Sequence, residues 1–204
     1  MSSHHFVKEQ QEPALLILKT EGVDFEQIAS LLEWSPTVLV AQDAVEAVIS
    51  WGIKLDVVLA DLDFQAKNSH LLEEQYPMKF RTLVHGDFLN EGIQYLKETE
   101  HSAVNVVGFD HKDVFGLESL LENLDIVIID GPIRYFPIKN GTFRKWYPEG
   151  SLQLHAPENM LLEMKTGETT AFIKINHATF VEVEEGFSSF QAKGIFWIGE
   201  FMVG

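Results

Sequence analysis

Cysteine is absent from this chain of 204 residues. That excludes a disulfide framework and a thiolate metal site, and it fits a cytoplasmic protein. Basic residues are scarce: 15 Lys and Arg stand against 31 Asp and Glu, for a net charge of -16. A surface that negative repels nucleic acid and anionic membrane, so neither is an expected partner. It also takes an anionic nucleotide more readily with a divalent cation than without one. No apolar run reaches the roughly 18 to 20 residues of a membrane helix. The opening Met1-Ser2-Ser3-His4-His5 has neither the basic nor the apolar region of a secretory signal. Several glycine signatures are missing as well: the Gly-x-x-x-x-Gly-Lys loop, the Gly-x-Gly-x-x-Gly fingerprint and the Gly-x-Ser-x-Gly elbow, with the enzyme classes they mark. The 8 histidines are scattered without ligand spacing, so no zinc constellation is predicted.

Short apolar runs are present, at 14–18, 37–41, 57–60, 82–84, 103–107 and 126–129. Their unbroken apolar character suits strands buried on both faces of a parallel sheet. Between them, residues recur at helical spacing: Phe25, Ile28, Ala29 and Leu32; Val45, Val48 and Ile49; Phe88, Leu89, Gly92, Ile93 and Leu96; Leu117, Leu120, Leu121 and Leu124. Alternating strand and helix predict a doubly wound, mostly parallel α/β domain. From Gly131-Pro132 onward the pattern changes to β-rich runs at 134–139, 142–147, 151–155, 159–165, 171–176, 179–184 and 195–203, separated by turn signals. These predict a small antiparallel β-sandwich. The expected domains are 1–132 and 133–204.

The chemistry concentrates in Asp43-Ala44-Val45-Glu46-Ala47 and in the stretch from Asp56 through Asp61-Leu62-Asp63. Read as extended chain, Asp61 and Asp63 point to one side. Carboxylates held side by side repel unless a cation or shared proton lies between them. Oxygen ligands favour magnesium, which commonly works with phosphates. In doubly wound folds, ligands sit at the carboxyl ends of the strands. Asp43, Asp61, Asp63, Asp87 and Asp110 all fall near such ends. Asp24, Asp87 and Asp113 are equally readable as helix N-caps.

The order of motifs resembles the thiamine pyrophosphokinase family. That family shows a strand, an Asp-Gly-Gly-like turn, a helix, Pro-Asp, an apolar run and Gly-Asp-x-Asp-Ser. The matching text here is Asp43-Ala44-Val45, then Leu55-Asp56, then Ala60-Asp61-Leu62-Asp63-Phe64. Asp87 stands near the family's Thr-Asp pair. Gly108-Phe109-Asp110-His111-Lys112 stands where the family has Gly-Gly-Arg-x-Asp-His, without the Arg. Phe187-Ser188-Ser189-Phe190 replaces a late Ser-Asn signature. The resemblance implies pyrophosphoryl transfer from ATP to thiamine in a homodimer, with ATP and magnesium as cofactors. It implies Asp61 and Asp63 as metal ligands, with Asp43 and Asp87 completing the catalytic acids and one of the four taking the hydroxyl proton. Asp56, Gly108, His111 and Lys112 are the implied nucleotide contacts. Thiamine is a cationic aromatic molecule, which makes the aromatic Trp146 a candidate platform beside Ser188 and Ser189. The departures at Ala60, Phe64 and the missing Arg leave a second expectation open, a homologue that binds without turnover or acts on another hydroxylated heterocycle.

Overall fold

A computed structural model of the chain describes residues 12–84 and 86–202. The chain divides into two compact units. One runs to Phe109 and takes in Asn123–Asp125; the other comprises Asp110–Glu122 and everything from Ile126.

In the first unit, β1 (Ala14–Ile17), β2 (Val38–Ala41), β3 (Val57–Ala60), β4 (Lys79–Thr82) and β5 (Ala103–Val107) run parallel in the order β5-β1-β2-β3-β4. Every residue of β1, β2 and β3 is buried, as their apolar runs require. The connections carry α1 (Phe25–Leu32), α2 (Val45–Ser50), α3 (Leu62–Lys67), α4 (Leu71–Glu74) and α5 (Phe88–Glu98). The chain steps from β1 through β2 and β3 to β4, then returns to place β5 on the other side of β1. The order therefore reverses between β1 and β5.

Three local expectations fail here. The run at 82–84 lies beyond β4, which ends the strand order and has no buried residue; Val84 is 69% exposed. Residues 62–63 begin α3 instead of prolonging an extended segment, because Asp61 caps a helix. The stripe from Leu117 to Leu124 falls largely on successive 3-10 turns over His111–Leu120, not on an α-helix.

In the second unit, β6 (Asp125–Asp130), β7 (Ile133–Ile138), β14 (Phe196–Phe201), β9 (Gly150–His155) and β12 (Ala178–Val183) lie in that order. A 4-stranded sheet has the order β11 (Thr169–Lys174), β10 (Leu161–Thr166), β13 (Gly186–Ala192), β8 (Thr142–Tyr147). All these pairings are antiparallel. Leu152, Leu154, Leu162, Phe190, Phe196 and Ile198 form the core of this unit. An α/β unit followed by an antiparallel sandwich is the fold class read from the sequence.

The division differs from the boundary expected at 132. Gly131-Pro132 is the turn of the β6–β7 hairpin, with Gly131 at φ +55. The run at 126–129 thus pairs antiparallel with β7. Strand β13 escaped prediction because Gly186 opens it and Ser188-Ser189 fill its middle. Tertiary packing decides there: Ser188 and Phe190 are fully buried while Phe187 faces out.

Candidate functional site

The carboxyl edge of the parallel sheet is built from the ends of each strand. After β1 comes exposed Lys19; after β5 comes Gly108, at φ +79. A Cβ on Gly108 would lie 2.5 Å from the Lys19 carbonyl oxygen and 2.6 Å from its nitrogen. Only glycine lets these two chain ends meet where the strand order reverses. The predicted nucleotide contact at Gly108 thus has a backbone reason of its own.

After β2, Gln42 and Asp43 enter a 3-10 turn, with Asp43 exposed. After β3, Asp61 is the N-cap of α3 and accepts from the Phe64 amide at 2.8 Å. Gln42 holds Asp61 from the side: its Nε2 donates to Oδ2 at 3.2 Å, and its Oε1 accepts the Asp61 amide at 2.9 Å. The Phe64 amide, with Gln42 behind it, lowers the Asp61 pKa from its ordinary value of 3.8. A lowered carboxyl is a weaker base, which counts against Asp61 among the four acids as the acceptor of a hydroxyl proton. Gln65 ties β3 to β4 by donating to the Ala60 carbonyl and to Thr82 Oγ1, at 2.9 and 3.0 Å. After β4, Asp87 caps α5, accepting from the Asn90 amide at 3.0 Å and from Asn90 Nδ2 at 2.6 Å.

The predicted acids therefore share one edge of one sheet, but they do not crowd together. Among the described residues, the group of three acids or histidines whose ligand atoms all lie within 4.8 Å is elsewhere: Asp110, His111 and Asp130. Asp63 sits on the first turn of α3, so the same-side projection with Asp61 expected of extended chain is lost. Asp56 is misplaced altogether. It precedes β3 at the amino edge of the sheet, where its Oδ2 accepts the Val38 amide at 2.8 Å. There it lines a cavity of about 410 Å³ with Phe25, Trp51 and Ile53.

The second unit carries the other candidates. His111 stacks on Tyr135 at 4.8 Å, nearly coplanar at 4°. Its Nδ1 lies 2.6 Å from Asp130 Oδ2 and its amide donates to the same oxygen at 3.1 Å. Flanked by Asp110 and Asp130, the ring is a poor phosphate partner, and the expectation for His111 is corrected on electrostatic grounds. Lys112 is exposed, and its amide donates to Asp110 Oδ1.

Strand register separates the predicted substrate residues. Trp146 pairs with Phe187 and Ser189 with Arg144 on the outer face of the small sheet, where Arg144 lies 4.7 Å over the Phe187 ring. Ser188 points inward, fully buried, with Thr166 Oγ1 at 3.1 Å from its hydroxyl. Alternation along β13 prevents Ser188 from sharing a ligand with Trp146.

Sequence reasoning missed Lys19, Gln42, Asp130, Tyr135 and His155. Their only sequence signal is position next to a strand end or inside a strand; their neighbours come from the fold.

No protein-family model matches the chain, and no curated protein matches it in sequence. Solved structures do match in fold. Thiamin pyrophosphokinase from Geobacillus thermodenitrificans superposes with TM-score 0.68 at 12% identity, covering 94% of this chain and 98% of that one. The enzyme from Bacillus subtilis gives 0.67 at 11% identity, over 94% and 100%. That from Candida albicans gives 0.70 at 7% identity, over 96% and 90%. The motif order read along the sequence and the superposition of nearly whole chains agree: this chain has the thiamin pyrophosphokinase fold.

Proposed function

We propose that this chain is a magnesium-dependent transferase that moves the pyrophosphoryl group of ATP to the hydroxyethyl group of thiamine, releasing AMP, and that it works as a homodimer. The observation that carries this reading is the carboxyl edge of the parallel sheet. Lys19, Gln42, Asp43, Asp61 and Gly108 all follow strand ends there, at or near a reversal of strand order, where α/β sheets bind ligands.

The donor set fits magnesium. Among the described residues the edge offers carboxylate oxygens, and magnesium takes one or two carboxylates while keeping several waters. Asp61 and Asp63 would hold it, with Asp43 a further acid on the same edge. Bound there, magnesium supplies neutralisation of phosphate charge. The chain's own work is positioning, the main demand of phosphoryl chemistry. Gln42 fixes the Asp61 carboxylate, Gly108 brings the backbone close, and Lys19 offers a cation to phosphate oxygen. In the transfer, the thiamine hydroxyl oxygen bonds to the β-phosphorus, the bond to the α-phosphate oxygen breaks, and the hydroxyl proton passes to an exposed carboxylate, Asp43 or Asp87.

Incubation with thiamine, ATP and magnesium should yield AMP and thiamine diphosphate in equal amounts. Absence of both products overturns the reading. Asp61→Asn is expected to leave stability almost unchanged, because Asn caps helices as well as Asp. It should weaken magnesium-dependent nucleotide binding at least about tenfold by removing the charge. Unchanged affinity by calorimetry removes Asp61 from the site.

A second reading rests on Ala44 and Val45, buried at 1% and 2% where the related motif has a glycine turn. Side chains there narrow the approach of a phosphate to the backbone. Saturable thiamine binding without AMP release selects this reading, a binding protein that does not turn over.

A further inference from the structure

Alternation along β14 gives the larger sheet of the second unit two different faces. Phe196, Ile198 and Glu200 face the sandwich core; Trp197 and Gly199 face away. On that far face Tyr135, Gly199 and Gln153 lie in register across β7, β14 and β9. A Cβ on Gly199 would come within 2.6 Å of the Tyr135 ring. Glycine there lets the ring cross the strand and its hydroxyl donate to Gln153 Oε1. Burial, with the charges of Asp130 and Asp110, pushes the Tyr135 phenol up to about 12, so it stays a neutral donor. Thus locked, Tyr135 is the floor on which His111 stacks.

Asp110 and Asp130 flank the fixed imidazole. His111 Nδ1 is 2.6 Å from Asp130 Oδ2 and 3.8 Å from Asp110 Oδ1. A tetrahedral cation with bonds of about 2.1 Å sets its donors about 3.4 Å apart, between those two separations. Small side-chain rotations suffice. Asp110 and Asp130 have side chains 55% and 36% exposed, which leaves an entry path. A separate sign of a ligand comes from His155, 2% exposed, whose ring meets that of His111 edge-on at 5.2 Å. Its Nε2 is buried with no hydrogen-bond partner among the described residues. Buried polar atoms rarely go unpaired, and a water beside this nitrogen would supply its partner.

We propose that Asp110, His111 and Asp130 bind one first-row divalent cation of the zinc type, a proposal that does not depend on the transferase reading. Imidazole with two carboxylates suits zinc or manganese over magnesium. Tyr135, Gln153 and Gly199 fix the orientation of the histidine, as the groups packed behind a ligand do at metal centres. Binding at Nδ1 would take the place of the hydrogen bond to Asp130 and leave the imidazole proton on Nε2. The cation then clips the turns over His111–Leu120 to the end of β6.

The test is zinc titration of chelator-treated full-length protein by calorimetry, in a His4→Ala/His5→Ala background so that the paired histidines at the amino terminus do not contribute. One equivalent should bind, and its saturation should raise the unfolding temperature. His111→Gln and Asp130→Asn should weaken it at least about tenfold. Asp110→Asn should do the same while keeping its cap on the Lys112 amide, so it decides the matter if the variants at His111 and Asp130 fail to fold. Asp61→Asn should leave zinc affinity unchanged. No saturable binding, equal affinity in Asp110→Asn, or displacement of zinc by equimolar magnesium overturns the proposal. None of these readouts depends on turnover.

Discussion

Glu200→Ala should lower the stability of the second unit by about 3 kcal/mol, the low end for breaking a buried ion pair. The side chain of Glu200 is 7% exposed inside the sandwich. Lys145 Nζ donates to both carboxylate oxygens at 2.7 and 2.8 Å. Arg134 donates to Oε2 from Nε at 3.2 Å and from its terminal nitrogen at 2.7 Å, and the Tyr147 hydroxyl donates to Oε1 at 2.7 Å. Lys145 enters from β8 of the small sheet, so the carboxylate joins the two layers of the unit. Removing it strands two cations. Their side chains are 48% and 39% exposed, and water recovers part of the loss, which is why the low end applies.

Acid separates two contributions. Burial pushes the Glu200 carboxyl up, but the bonds from Lys145, Arg134 and Tyr147 outweigh it and hold its pKa below the ordinary 4.5. A depressed carboxyl stabilises the fold above its ordinary pKa and loses that stability as pH falls through the lowered value. Burial, reinforced by His111, pushes His155 from 6.5 down to about 4. It stays neutral when folded, so its share of stability is complete above 6.5 and drains between 6.5 and about 4. Urea unfolding across pH should show wild type weakening first over 6.5 to 4 and again below 4.5. Glu200→Ala should keep the first decline and lack the second. Parallel curves for the two proteins would show that Glu200 carries no charge-dependent stability.

Gly108→Ala is the other large effect, expected at about 3 kcal/mol: about 1 for the left-handed backbone and the rest for the chain displacement that relieves the overlap. The added Cβ meets the Lys19 carbonyl oxygen, nitrogen and Cα at 2.5, 2.6 and 2.9 Å, all backbone atoms that cannot rotate away. For a chain of this size the midpoint of thermal unfolding should fall by about 10 °C. Gly116→Ala is the control. A Cβ there meets nothing within 4 Å, and the change should stay within about 0.5 kcal/mol. If Gly108→Ala melts with the control, the close meeting of β1 and β5 does not limit stability.

Much of the fold was readable from residue pattern. β1, β2, β3 and β5 announce themselves as apolar runs because both their faces are covered. α1, α2 and α5 appear as stripes because one face is buried. The outlying strand β4 lacks that contrast, and β13 hides behind serines whose burial depends on the facing sheet. The acids were placed correctly after their strands in four cases, Asp43, Asp61, Asp87 and Asp110. Asp63 lies a turn into α3, because a local pattern does not say where the strand stops and the helix starts.

The sequence by itself determined most element types, the change from α/β to all-β, and the absence of thiol chemistry, because periodicity and composition are local properties of the chain. Only the tertiary structure decided which side chains meet. Asp61 became a cap held by Gln42, 19 residues away. Asp130, Tyr135 and His155 came to surround His111. Such meetings depend on strand order and register, and these are set by the free energy of burying whole faces at once, which no short segment encodes.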